Sequence, residues 1–118
     1  MSTREQGMKA EVYARQFLVK QGLVWLMSNY ACRMGEIDLV MQSAQGELVF
    51  VEVRRRTSTR FGGALESITP SKQKKLIKTA SHYLMLHPNQ GQQGVRFDVL
   101  AIDGSPPCVT WIKQAFEE

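Results

Sequence analysis

Residues 35–54 read GEIDLVMQSAQGELVFVEVR, and they carry the clearest structural pattern in the chain. Two apolar runs, Gly35–Gln42 and residues 48–53, are separated by a short polar segment that contains Gly46. Runs of this length and composition predict two strands, and a glycine that can adopt positive φ predicts a hairpin with a bulged loop. The second run is nearly continuously apolar, so we expect a central strand covered on both faces.

The hairpin also predicts which side chains face one another. A three-residue loop centred on Gln45 places Asp38 opposite Glu52 and Glu36 opposite Arg54. Facing carboxylates repel unless a cation lies between them or one is protonated, and a divalent ion such as Mg²⁺ would bind both. The alternative is a ladder of ion pairs with nearby arginines on a solvated sheet face. The spacing alone leaves both interpretations open.

Hydrophobic periodicity divides the rest of the chain into further elements. A capping box at Thr3 and Gln6 begins the first helix, and Thr69-Pro70 begins the second. The predicted order is α-β-β-β-α-β-β, with a loop over 57–68 that contains Gly62-Gly63 and a short tail after residue 112. The predicted ranges are a helix at 3–21, strands at 23–29, 35–42 and 48–53, a helix from about 70 to 87, and strands at 95–102 and 108–112.

Length and composition exclude several classes of protein. The chain has 118 residues, 43% of them hydrophobic, so we expect one folded domain over 1–118 rather than a disordered chain. The longest apolar run, residues 22–27, is too short to cross a bilayer, and the first residues lack the apolar segment of a secretory signal. We therefore expect a cytoplasmic protein with no membrane partner.

Positive charge is concentrated between residues 54 and 78. This segment contains eight basic residues and one acid, whereas the whole chain has a net charge of only +4. A basic block on an otherwise acidic chain favours a polyanionic partner, most often nucleic acid, although a solvated helix face is the alternative. The residues predicted to contact nucleic acid are Arg55, Arg56, Arg60, Lys72, Lys74, Lys75 and Lys78.

Several segments together resemble the YraN-like family of small bacterial proteins, which are similar to nucleases of the PD-(D/E)XK superfamily. The segments are GEIDLV at 35–40, VFVEVRRR at 49–56, FG at 61–62, SKQK at 71–74 and RFDV at 96–99. The resemblance covers about residues 7–112. It implies a restriction-endonuclease-like core, a mixed β-sheet flanked by helices, in the same element order that periodicity predicts.

The resemblance implies roles for four residues. Asp38 and Glu52 match the two acids of the superfamily motif, and Glu11 matches a helical glutamate beside the metal. These three are the implied ligands of Mg²⁺ or Mn²⁺. Arg54 completes the implied catalytic set, but it stands where the motif has lysine. A guanidinium stays protonated, so Arg54 cannot accept a proton from water, although it can stabilise charge on a phosphate.

The resulting hypothesis is a metal-dependent nuclease or nuclease-like protein that acts on DNA, with repair or recombination as its setting. A second hypothesis is a non-catalytic nucleic-acid-binding module that keeps the fold without turnover. A third is a protein-interaction domain whose basic block docks on an acidic partner. A homodimer is expected only by analogy with nucleases of this architecture.

Overall fold

The computed structural model describes residues 3–56, 68–104 and 106–117, with backbone alone for 3–8 and Arg56. Two helices and five strands follow the predicted order α-β-β-β-α-β-β, which confirms the predicted fold class. No helix in these described ranges is long and apolar enough to cross a membrane. The elements are α1 (Thr3–Lys20), β1 (Val24–Cys32), β2 (Gly35–Gln42), β3 (Leu48–Arg56), α2 (Pro70–Leu86), β4 (Val95–Asp103) and β5 (Cys108–Phe116).

The five strands form one mixed sheet in the order β1-β2-β3-β4-β5. All neighbouring strands are antiparallel except β3 and β4, which are parallel. Parallel neighbours require a crossover connection, and α2 lies within it. The predicted central position of β3 is confirmed.

The register of the β2–β3 hairpin agrees with the prediction. Leu39 pairs with Val51, and Gln42 pairs with Leu48. The Ser43 N–H donates to the Glu47 carbonyl at 2.9 Å, which leaves residues 44–46 as the loop. Gly46 has φ 90°, a backbone conformation that residues with a side chain rarely adopt. The local turn chemistry therefore sets the pairing that aligns the acidic side chains.

The two helices cover opposite faces of the sheet. Leu48 and Phe50 of β3 belong to the apolar cluster that includes Tyr83 of α2. Val49 and Val51, which alternate with them, belong to the cluster that includes residues of α1. Burial on both faces explains the continuous apolar run in β3. Because side chains alternate along a strand, the even-numbered side chains of β3 lie on the α2 face.

Four strands extend beyond their predicted ends, β4 by only one residue. β5 continues to Phe116, so the short tail predicted after residue 112 is wrong. Phe116 is buried, and its ring stacks on Phe97 with 4.9 Å between centroids, which favours continued pairing with β4. β1 continues to Cys32 because Tyr30 is buried against the α2 face of the sheet. β3 continues to Arg56 because it pairs with β4 along its whole length.

Two predicted features fall outside the described part of the chain. The side chains of Thr3 and Gln6, predicted as a capping box, are not described, and neither is the segment 57–67 that holds Gly62-Gly63. The predicted cap of α2 is confirmed, because the Thr69 side chain accepts a hydrogen bond from the Lys72 N–H and Pro70 occupies the first turn.

Candidate functional site

The backbone pairing between β2 and β3 ends where the acidic side chains begin. The last backbone pair in this direction is Leu39 with Val51. Beyond it, the Val53 N–H donates to Asp38 Oδ2 at 2.8 Å. The Asp38 carboxylate thus takes the place of a backbone carbonyl of β2. It satisfies the Val53 N–H, which would lose its partner where the two strands diverge. This bond holds Asp38 beside the end of β3 that carries Glu52.

Glu52 is the buried member of the acidic pair, with 8% of the residue exposed. The pKa of its carboxyl is raised from 4.5 to about 8, chiefly by burial and then by the hydrogen bond and negative charge of Asp38. Lys72 and Arg54 act in the opposite direction. Without another cation, Glu52 therefore holds its proton at neutral pH. The ion-pair ladder on a solvated face does not describe this carboxyl, because water hardly reaches it.

The acidic pair lies in a cavity of about 520 Å³ between the ends of β2 and β3 and the first turns of α2. Gly35 allows a close approach of β2 to the helix, because a Cβ there would lie 3.0 Å from Thr79 Oγ1. The cavity is lined by Gly35, Glu36, Asp38, Glu52, Val53, Arg54, Thr69, Ser71, Lys72, Lys75, Leu76 and Thr79. Three acidic and three basic residues therefore share one concave surface.

Positive groups border the acids on the helix side. Lys72 Nζ lies 3.8 Å from Glu52 Oε2. Arg54 Nε is buried and has no hydrogen-bond partner among the residues that the structure describes. The N-terminal turn of α2 adds the positive end of a helix dipole. A buried donor without a partner and a helix N-terminus both favour an anionic group in this cavity.

The structure brings together three of the four residues predicted to be catalytic. Asp38, Glu52 and Arg54 all line the cavity, whereas Glu11 does not. Glu11 is half-buried on α1, which packs on the opposite face of the sheet. Within the described ranges, no group of three His, Cys, Asp or Glu residues is arranged to hold a metal. The assignment of Glu11 as a ligand therefore stays a prediction from the resemblance alone.

The residues predicted to contact nucleic acid divide into three groups. Lys72 and Lys75 line the cavity, and sequence reasoning did not foresee that Lys72 contacts Glu52. No local sequence signal indicates this contact, because it depends on the crossover that returns α2 over the end of β3. The exposed side chains outside the cavity are those of Arg55, Lys74 and Lys78, while Arg60 and the side chain of Arg56 lie outside the described residues.

The RFDV motif lies away from the cavity and has a structural role. Asp98 is 1% exposed and forms an ion pair with Arg96 at 3.0 Å. It also accepts hydrogen bonds from the Trp111 indole and from the Gln114 N–H. Gln114 has φ 51° at the irregularity in the β4–β5 pairing. A buried carboxylate requires several donors, and Asp98 finds one of them in the backbone at this irregularity. Asp98 thus stabilises the irregular pairing.

The raised pKa of Glu52 predicts how stability depends on pH. The folded state binds one more proton than the unfolded state between about pH 5 and about pH 8, so the free energy of unfolding falls as pH rises through this window. Glu52→Gln resembles the protonated form, so we expect it to match wild type near pH 5 and exceed it above pH 8. Denaturant unfolding in chelator at several pH values measures the difference. Glu36→Gln, an exposed change in the same cavity, is the control, and parallel curves for wild type and Glu52→Gln would contradict the prediction.

Comparison with known proteins identifies the family. Residues 10–102 match the model of Uncharacterised protein family UPF0102. The chain is 48% identical to a UPF0102 protein of Legionella pneumophila over 115 residues, which cover 98% of this chain and 97% of the relative. It is also 48% identical to one from Nitrosomonas europaea over 118 residues, which cover 99% and 98% of the two chains.

One solved structure is similar at a lower level. It is described as "Structure of EndoMS-dsDNA2 complex", with a TM-score of 0.39 and 17% sequence identity. The likeness covers 79% of this chain and 33% of that chain, so it carries no functional argument. The family match confirms the resemblance to the YraN-like proteins that the motifs indicate, and the chain belongs to the UPF0102 family.

Proposed function

We propose that this protein is a metal-dependent nuclease, or a nuclease-like protein, that acts on DNA. The observation that carries the proposal is the Asp38–Glu52 pair, whose Glu52 member is buried and which lies in an open cavity beside Arg54 and the basic N-terminal turns of α2. Strongly shifted carboxyl groups in a concave site are typical of functional sites. A cytoplasmic location and a homodimer stay predictions from the sequence.

The donor set in this cavity suits a hard divalent ion. Asp38 and Glu52 would hold Mg²⁺ or Mn²⁺, because these ions prefer carboxylate oxygens. A proton now resolves the conflict between the two acids, and a divalent ion would replace it with a larger charge. When bound, the ion would supply the activation of water and the neutralisation of charge on the scissile phosphate.

The basic residues would bind and orient the nucleic acid. Arg54 would donate hydrogen bonds to the phosphate, since its buried Nε has no partner in the described part of the chain. Lys75 and the exposed Lys74 and Lys78 of α2 would neutralise flanking phosphates, whereas Arg55, which alternates with Arg54 along β3, lies on the opposite face of the sheet. Contacts of this kind provide affinity without reading the base sequence. The proposal therefore predicts recognition of DNA structure more than of sequence.

The direct test is cleavage of labelled duplex, branched and single-stranded DNA by excess protein, with Mg²⁺, Mn²⁺ or chelator. Cleavage that requires the metal and is lost in Asp38→Asn supports the proposal. The Asp38→Asn preparation also excludes a contaminating nuclease, because it is purified identically. Wild-type protein that cuts none of these substrates in either metal would contradict the nuclease activity.

A non-catalytic DNA-binding module is the second candidate, and Arg54 is the observation that favours it. Its guanidinium cannot take the proton from an attacking water. This candidate predicts DNA binding that is independent of metal and no cleavage. A protein-interaction domain, the third candidate, predicts no DNA binding at all. The same three substrates therefore discriminate the candidates when binding is measured beside cleavage.

Metal addition should stabilise the folded protein. An ion that binds only the folded state at about 100 times its Kd adds about 2.7 kcal/mol to the free energy of unfolding. We expect millimolar Mn²⁺ to raise the Tm of wild type by several degrees and to leave Asp38→Asn unchanged. Because the asparagine oxygen can still accept from the Val53 N–H, metal-free Asp38→Asn should be at least as stable as wild type. A metal-free Asp38→Asn protein that melts far below wild type would make Asp38 a purely structural residue.

Salt dependence should report the phosphate contacts. Four to six contacts predict that log K for duplex DNA falls against log salt with a slope of about −4 to −5. Lys75→Ala and Lys78→Ala should each make the slope shallower by about 1, equally for different sequences. Lys20→Ala, on α1, should leave the slope unchanged. Wild-type slopes in both basic-block variants would place the DNA on another surface.

A further inference from the structure

Lys72 forms the one ion pair with the acidic pair in the described part of the chain. Its Nζ lies 3.8 Å from Glu52 Oε2, which is close enough for charge attraction but too long for a hydrogen bond. The Lys72 side chain is 39% exposed, whereas that of Glu52 is 9% exposed. The cation thus approaches the buried carboxyl from the solvent side, and it donates no hydrogen bond to any residue that the structure describes.

The backbone of Lys72 is held firmly although its side chain is not. Its N–H donates to Thr69 Oγ1 at 3.2 Å, and the next residue, Gln73, donates from its side chain to the Ile68 carbonyl at 3.1 Å. These bonds fix the first turn of α2 over the ends of β2 and β3. The lysine stem retains its rotatable bonds, so the ammonium can leave the carboxyl without any change in the helix.

We propose that Lys72 is the internal counter-ion of the acidic pair, so that Lys72 and a divalent cation compete for the Glu52 carboxylate. The inference deepens the proposed function, and it rests on the metal site proposed there but not on cleavage. A dication and an ammonium within about 4 Å of the same oxygen repel each other, so the lysine must withdraw when the ion binds. The free energy of metal binding is then less favourable by the amount that the Lys72–Glu52 contact contributes to the metal-free protein.

Lys75 provides a matched comparison within the same cavity. It is exposed, it lies one turn further along α2, and it carries the same charge. Within the described part of the chain, it forms no ion pair with Asp38 or Glu52. If only the total positive charge of the cavity mattered, removal of either lysine would have the same effect on cation binding. If the direct contact matters, only the change at Lys72 has a large effect.

The test is calorimetric titration of Mn²⁺ into the full-length protein in deoxygenated buffer at low salt and at a constant pH of about 8.5, where most of Glu52 is ionised and can pair with Lys72. We expect Lys72→Met to bind Mn²⁺ about fivefold more tightly than wild type, the gain expected from loss of one partly exposed ion pair. Lys75→Met should stay within about twofold of wild type. Lys72→Arg should keep the weaker wild-type affinity, because it restores the charge. Thermal melting of each variant in chelator checks that the fold is retained.

The outcomes separate this inference from the proposed function. Equal Mn²⁺ affinities for Lys72→Met and Lys75→Met would overturn the role of Lys72 and leave the metal site standing. A failure of all variants, including wild type, to bind Mn²⁺ would remove the metal site and this inference with it. Binding by Lys72→Met where wild type binds too weakly to measure would support both. An arginine variant that binds as tightly as Lys72→Met would also contradict the competition.

Discussion

Glu52→Gln should cut DNA at least about a hundredfold more slowly than wild type in Mn²⁺, since loss of several kcal/mol of transition-state stabilisation has an effect of this size. The amide retains the shape of the protonated carboxyl and can still donate a hydrogen bond to Asp38. What it loses is the ability to become an anion, which a divalent ion requires of its ligand. The measurement is single-turnover cleavage of the DNA structure that wild type cuts fastest.

The matched control for this prediction is Glu36→Gln. Glu36 lines the same cavity and precedes Asp38 by two residues on β2, but its side chain is exposed. Its replacement removes one negative charge from the cavity without changing Asp38 or Glu52, so we expect cleavage within about threefold of wild type. A Glu52→Gln protein that cuts within about tenfold of wild type would contradict the role of Glu52. Equal losses in both variants would indicate a general electrostatic effect.

The parts of the site that local sequence determines could be predicted. The facing of Asp38 and Glu52 depends on a three-residue loop and on strand alternation, both of which are properties of adjacent residues. The structure confirms the register through the Leu39–Val51 pair. The same reasoning correctly made β3 central, because only a strand covered on both faces tolerates so continuous an apolar run.

The parts that depend on distant segments could not be predicted. Lys72 lies twenty residues after Glu52, and their contact depends on the crossover that returns α2 over the sheet. The end of β5 is not predicted for a related reason, because the pairing of Phe116 with Phe97 is stabilised by stacking of their rings. No local pattern distinguishes such residues from a tail. Long-range packing overrides local propensity at these positions.

Burial also changes the chemistry that sequence can indicate. The repulsion between Asp38 and Glu52 was predicted, but its resolution by a proton was only one of two alternatives. The structure favours the proton in the metal-free protein, because desolvation is the largest cause of the raised pKa of Glu52. Desolvation depends on what covers the carboxyl, and neighbours in sequence do not determine it.

Arg54→Ala should reduce cleavage by about a hundredfold or more, as expected for loss of one transition-state donor, whereas Arg54→Lys should retain or exceed wild-type cleavage. Both arginine and lysine neutralise charge on the phosphate, but alanine does not. Arg54 Nε donates no hydrogen bond to the described residues, so its removal deprives none of their acceptors of a donor. The free energy of unfolding should therefore change by less than about 1 kcal/mol. The measurements are the single-turnover cleavage rates of the two variants in Mn²⁺ and their denaturant unfolding curves.

The pH dependence of Arg54→Ala separates two ways in which Arg54 could act. Arg54 lowers the pKa of Glu52, so its removal should raise that pKa and leave less of the carboxylate at neutral pH. If this were its whole effect, cleavage by Arg54→Ala would approach the wild-type rate as pH rises above 8 and more of the Glu52 carboxyl is ionised. A direct contact with the phosphate predicts that the defect persists there, because no change of pH restores the missing donor. Full recovery at high pH would therefore contradict the phosphate contact and leave Arg54 with a role in tuning Glu52 alone.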